Sequence, residues 1–106
     1  MELLKQYYAV IFTNTRTVGD NGYAEMAAAM ETLARKQKGF IDFETARDQL
    51  GISVSYWDSL EAIANWKANL DHQVAQNKGM SDWYSWYKVR VCRVEREYEF
   101  NHRKSK

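Results

Sequence analysis

Apolar side chains fill both alternating sets of positions in Tyr7-Tyr8-Ala9-Val10-Ile11-Phe12-Thr13-Asn14-Thr15, a segment rich in β-branched and aromatic residues. Successive strand residues point to opposite faces, so this pattern predicts a first strand that is covered on both sides. The turn Val18-Gly19-Asp20-Asn21-Gly22 ends it. From Tyr23 the apolar positions Tyr23, Met26, Ala27, Met30, Leu33 and Ala34 follow helical spacing, and Gly39 after the basic turn Arg35-Lys36-Gln37-Lys38 stops that helix.

Phe40 to Arg47 alternates Ile41, Phe43 and Thr45 against Asp42, Glu44 and Arg47, and Ile52 to Trp57 alternates Ile52, Val54 and Tyr56 against Ser53, Ser55 and Trp57. The short turn Asp48-Gln49-Leu50-Gly51 joins them as a hairpin. Asp58, with Glu61 three residues on, predicts an acidic N-cap for a second helix that runs through Leu60, Ile63, Trp66, Leu70 and Val74 towards Gly79. Asn69 and Asp71 leave open whether it is one kinked helix or two short ones. A last strand is expected over Trp86 to Tyr98, with Tyr87, Val89 and Val91 on one face and a bulge where Cys92 and Val94 change phase.

The order β, α, β, β, α, β is the ferredoxin-like split βαβ arrangement, an antiparallel sheet with both helices on one face. Helices on one side leave either Ala9 and Ile11 or Val10 and Phe12 uncovered, and an exposed apolar sheet face is an interaction surface. A homodimer whose two sheets stack into an α+β barrel is therefore expected, with the charged extension from Arg93 to Tyr98 along the partner's edge.

Composition narrows the class. The 106 residues suit one domain, expected over 1–100, and five glycines punctuate the chain with no proline to interrupt any element. The 15 Lys and Arg against 14 Asp and Glu give +1, but three of the positive charges lie in the tail 101–106, leaving −2 over 1–100. That balance argues against nucleic acid as a partner and predicts a disordered basic tail. Cys92 alone cannot form an internal disulfide, two histidines supply a metal site poorly, and no apolar run is long enough to span a membrane. No signal-peptide pattern opens the chain, so the cytoplasm is the expected location and a membrane is not an expected partner.

Phosphate loops and acyl-transfer triads are missing, which leaves a few polar groups among many aromatics. His72 is the one histidine inside the fold and is either a surface residue or a general base. Asn14 shares the face of Val10 and Phe12 at the strand's end; its amide can hold a developing oxyanion or simply serve the turn. Trp57 and Trp66 are either core or cavity wall. Trp83-Tyr84-Ser85-Trp86-Tyr87 packs four aromatics into five residues, for a planar substrate or for an interface.

Tyr8 to Thr15 with Asn14, Lys38-Gly39-Phe40, the passage Val54-Ser55-Tyr56-Trp57-Asp58-Ser59-Leu60-Glu61-Ala62, Trp66-Lys67, His72 and the closing strand together resemble the antibiotic biosynthesis monooxygenase family, of the dimeric α+β barrel superfamily. The likeness spans about residues 6 to 98. It implies a cofactor-independent monooxygenase that oxidises a small phenol, hydroquinone or anthrone-like compound with O₂. In that reading Asn14, Trp66 and His72 are catalytic, and Phe12, Trp57, Trp83 and Trp86 bind substrate, with no metal. Haem-degrading relatives carry the iron-ligating histidine about ten residues beyond the matching Trp. Gln76 stands there and His72 is about a turn early, so haem is the less well supported cofactor. A non-catalytic binding dimer and a small-metabolite isomerase are the remaining alternatives.

Overall fold

The computed structural model describes residues 6–76 and 83–102, with the backbone alone for 72–76. Six elements follow in the expected order: β1 (Tyr7–Arg16), α1 (Tyr23–Arg35), β2 (Phe40–Arg47), β3 (Gly51–Trp57), α2 (Leu60–Gln76) and β4 (Tyr84–Val94). All strand pairs are antiparallel, in the order β2-β3-β1-β4. This is the ferredoxin-like α+β fold.

Turn chemistry sets the helix boundaries. Gly19, Asn21 and Gly22 take positive φ between β1 and α1, where the Asp20 carboxylate accepts from the Gly22 and Ala24 N–H groups at 2.8 and 3.2 Å. At α2 the cap is Ser59, whose hydroxyl accepts from the Ala62 N–H at 3.0 Å, and not Asp58 as the acidic spacing suggested. The Asp58 N–H is instead donated to the Gly39 carbonyl at 2.8 Å. Gly39 has φ +89°, and a Cβ there would lie 2.6 Å from both the Ala62 Cβ and the Asp58 Oδ1. Only glycine fits where the α1–β2 turn passes the start of α2. α2 is a single helix through Asn69 and Asp71, with Lys67 and Asp71 paired at 3.0 Å one turn apart.

The helices sit on the face that carries Val10. Ala34 of α1, Trp57 of β3 and Ala62 and Trp66 of α2 form its buried centre, with Val10, Leu33, Phe40, Ile63 and Leu70 around them. Trp57 stacks on Trp66 at 5.9 Å and meets Phe40 edge-on at 5.5 Å. Trp57 is fully enclosed. α1 packs chiefly on β2 and α2 chiefly on β3, so the β1–β4 half of this face is less covered, and Val89 and Val91 remain half exposed.

Two register irregularities decide which side chains share a face. One lies between Phe40 and Asp42 of β2 and the other between Thr15 and Arg16 of β1, opposite Ser85. None falls at Cys92 and Val94, which pair regularly with Ala9 and Tyr7. Those two residues simply line the far face, apolar like the near one. β4 also starts at Tyr84 and ends at Val94, rather than running from Trp86 to Tyr98; residues 95–100 have no regular structure. Of the expected tail 101–106, residues 103–106 lie outside the described residues.

Among the described residues, no helix covers the far face of the sheet. Its centre is Ala9, Ile11, Ile52, Val54 and Cys92, with Asp42 and Glu44 along the β2 edge and Lys88 and Arg90 along the β4 edge. No helix among the described residues is long and apolar enough to cross a membrane.

Candidate functional site

Arg47, Gly51, Asn14 and Tyr87 stand side by side across all four strands on the helix-bearing face. Gly51 is the gap in that row. A Cβ at Gly51 would overlap the Arg47 guanidinium, so its absence lets Arg47 lie across β3 and reach β1. There Arg47 Nη2 donates to Asn14 Oδ1, and to the Tyr23 hydroxyl at 3.3 Å.

Arginine only donates, so this bond places the carboxamide oxygen towards Arg47 and turns the Asn14 Nδ2 elsewhere. Asn14 is 1% exposed, and its Nδ2 has no hydrogen-bond partner among the described residues. A buried donor left unsatisfied costs about 1–3 kcal/mol, which a core position would not retain for packing alone.

Aromatic residues neighbour Asn14 in the sheet, with Tyr87 paired to it on β4. Phe12, two residues along β1, meets Tyr84 edge-on at 5.2 Å and Tyr87 at 5.5 Å. Tyr84 also meets Tyr23 of α1 at 5.8 Å. Tyr84 reaches this face because the irregularity opposite Ser85 inserts one residue and reverses the alternation, a re-aiming typical of bulges. Trp86 keeps the regular phase and faces the opposite side, opposite Thr15.

Two guanidiniums flank the rings. Arg16 lies 3.7 Å over the Tyr23 ring and donates to the carbonyls of Trp83 at 2.6 Å and Gly19 at 3.1 Å, clamping the β1–α1 loop. Arg47 lies 5.5 Å from the same ring. Burial pushes the Tyr84 phenol well up and the Tyr23 phenol adds to this, against the opposing pull of Arg47 and Arg16. Tyr84 is thus a neutral hydrogen-bond donor at ordinary pH.

The expected site residues divide between two places. Asn14 and Phe12 are together in this cluster. Trp57 lies six residues along β3 from Gly51, about 20 Å away at strand rise, and with Trp66 forms the core stack at the other end of the sheet. Trp83 is buried beside the cluster, its indole donating to the Asn21 carbonyl at 3.0 Å. The structure therefore separates Trp57, Trp66 and Trp86 from Asn14. The His72 side chain lies outside the described residues; at about 1.5 Å rise per residue, α2 carries its backbone about 18 Å from Leu60, back towards the level of Asn14.

The alternation read from the sequence groups Arg47 with Asp42 and Glu44, against Ile41, Phe43 and Thr45. The structure puts it with Phe43 and Thr45 on the helix-bearing face. Its odd position, shared with Phe43 and Thr45, and the glycine four residues on were the available signals.

No family model matches the chain. An uncharacterized protein of Bacillus subtilis, YqjZ, is 48% identical over 93 residues, which span 86% of this chain and 82% of that protein. Among solved structures, SnoaB of Streptomyces nogalater, a cofactor-independent oxygenase, superimposes with a TM-score of 0.66 at 12% identity, covering 89% of this chain and 97% of SnoaB. A variant of MhuD with two manganese protoporphyrin IX molecules per active site gives 0.67 at 16% identity, covering 88% and 99%. A Nitrosomonas europaea protein assigned as an antibiotic biosynthesis monooxygenase gives 0.68 at 11% identity, covering 86% and 92%. The chain thus has the fold of the antibiotic biosynthesis monooxygenases and belongs to the family of Bacillus subtilis YqjZ.

Proposed function

We propose that this protein is a cofactor-independent monooxygenase that oxidises a small electron-rich aromatic compound, a phenol, hydroquinone or anthrone, with O₂. The observation that carries this reading is the buried Asn14 carboxamide, with an unpartnered donor beside a cluster of four aromatic rings. Phe12, Tyr23, Tyr84 and Tyr87 contact one another at 5.2–6.1 Å between ring centroids, so a planar substrate would have to part these rings to reach the Asn14 N–H, which is suited to a substrate oxygen as it gains negative charge. Loss of the O–H proton of a phenol or hydroquinone, or of the benzylic C–H proton of an anthrone, gives an anion with carbanion character at one carbon. That carbon reduces O₂ and bonds to it, and the peroxide takes the proton back from the base. The hydroperoxide then loses water to leave a carbonyl, so one oxygen atom enters the product. His72 is the proposed base.

The proposed working form is a homodimer through the open sheet face. A two-fold axis parallel to the strands sets the Asp42 and Glu44 edge of one protomer over the Lys88 and Arg90 edge of its partner, and buries Ile11, Ile52 and Val54 between them. Haem fits the described residues poorly. Trp57 occupies the face of Trp66, and position 76, where an axial ligand is expected, is Gln.

Oxygen consumption by the purified full chain with a hydroxyanthrone or hydroquinone tests the reading. Uptake that falls strongly in Asn14→Ala supports it, and no uptake across a broad phenolic panel overturns it.

A further inference from the structure

We propose that the arm after β4, residues 95–100, clasps a second copy of this chain, setting Tyr98 and Phe100 against the partner's Ile41 and the arm's carboxylates beside the partner's Lys36 and Lys38. The inference rests on the stacked homodimer proposed above and names the contacts that close it at one end.

Glu95, Glu97 and Glu99 alternate with Arg96, Tyr98 and Phe100, which is the period of a strand, yet residues 95–100 have no regular structure. Tyr98 and Phe100 are each 83% exposed. The neighbours of their rings, the Arg96 guanidinium at 5.9 Å and the His102 ring at 6.1 Å, lie in the same short stretch. Two aromatics held this far into water form an apolar patch suited to a partner surface. Tyr7, on the face of Ala9 and Ile11, donates to Glu97 and so draws the arm to the side of the sheet on which the copies stack.

A two-fold axis that lays the β4 edge over the partner's β2 edge also brings the end of β4 to the start of the partner's β2. Arg93 and Phe40 stand at one level, in a row across the sheet with Tyr8 and Trp57. The arm therefore leaves its own protomer beside the partner's Phe40. Six extended residues reach about 20 Å, further than the roughly 14 Å between the outer strands of a four-stranded sheet.

Ile41 is the extra residue at the register irregularity of β2 and is 49% exposed. It offers the apolar contact that Tyr98 and Phe100 lack. Lys36 and Lys38 lie just before it and are exposed. Neither has a carboxylate partner among the described residues, whereas Arg35 is paired with Glu31. Of the arm's carboxylates, Glu95 is paired with Arg93 and Glu97 accepts from Tyr7, which leaves Glu99 for a lysine. The two-fold axis makes the same contact twice.

Sedimentation equilibrium of the full chain reads the clasp. Tyr98→Ser with Phe100→Ser should weaken dimerisation by about tenfold or more, the effect of losing interfacial aromatics. Ile41→Ser should weaken it too, and the losses should not multiply when the variants are combined, because they remove one contact. Lys36→Glu with Lys38→Glu should also weaken it, and adding Glu99→Lys should restore part of the loss. Far-ultraviolet circular dichroism confirms that each variant is folded. An undiminished dimer in the arm variant, or losses that multiply with Ile41→Ser, would overturn the clasp; if Ile11→Lys still dissociates that dimer, the stacked sheets stand without it. A dimer that resists Ile11→Lys but separates in the arm variant contradicts the stacking and not the arm, and a native monomer overturns both.

Discussion

Asn14 on β1 and Arg47 on β2 are hydrogen-bonded although β3 runs between them, because the residue that separates them is Gly51. One missing side chain joins a wholly buried amide to a cation and leaves that amide's nitrogen without a partner among the described residues. The site is therefore a feature of three strands, with α1 contributing the Tyr23 phenol.

Asn14→Leu separates stability from function. It removes an unsatisfied buried donor, so the melting temperature is expected to stay level or rise. Under the proposed function kcat falls about 100- to 1,000-fold, the usual effect of losing one oxyanion donor. A large loss of stability with activity retained would return Asn14 to a purely structural role.

Trp57→Ala opens the centre of the core and is expected to cost about 3–5 kcal/mol, read by denaturant unfolding. Trp66 stacks on the Trp57 ring and Phe40 packs edge-on, and the variant also loses the indole N–H bond to the Ser55 hydroxyl at 2.8 Å. A loss below about 1 kcal/mol would contradict the reading of this cluster as packed core.

Gly39→Ala should destabilise by more than about 1 kcal/mol, since the positive φ and the 2.6 Å approach to Ala62 both oppose a Cβ. Gly22, also at positive φ but with open space around it, is expected to suffer from backbone strain alone. Equal denaturation midpoints for Gly39→Ala and the native chain would contradict this account of the α1–β2 turn.

Tyr7 ties β1 to the segment after β4 by donating to the Glu97 carboxylate, and this bond, ahead of burial, pushes its phenol from 10.0 up to about 12. The folded value lies above the unfolded one, so this tether is intact below pH 10 and is lost as the pH rises through about 12. Ultraviolet titration should show one late-ionising phenol fewer in Tyr7→Phe, and in Glu97→Gln that phenol should ionise earlier. An unchanged curve in both variants would show that the tether does not form.

Sedimentation equilibrium tests the proposed dimer. The native chain is expected to sediment as two copies at micromolar concentration, and Ile11→Lys, on the open face, to shift it towards one. A native monomer would contradict the pairing of the two sheet faces.

Element order, the hairpin and the core stripe were legible because they depend on periodicity and on glycines between periodic segments. The position of Asn14 beside Phe12 was legible for the same reason. What could not be read was phase across irregularities. The extra residue between Phe40 and Asp42 separates Ile41 from Phe43, and grouping the charges of β2 by polarity placed Arg47 with Glu44. The insertion at Ser85 similarly sends Tyr84 and Trp86 to opposite faces, although two residues apart in a strand normally share one. Trp57 and Trp66 were ambiguous because an indole that walls a cavity and one that fills it have the same spacing in sequence.

The most direct test of the central claim is O₂ consumption by chelator-treated full-length protein supplied with a hydroxyanthrone, measured in parallel for the native chain and Asn14→Ala. The account predicts steady uptake by the native chain and uptake reduced at least 100-fold in the variant. No uptake by the native chain, or equal uptake by both, would contradict it.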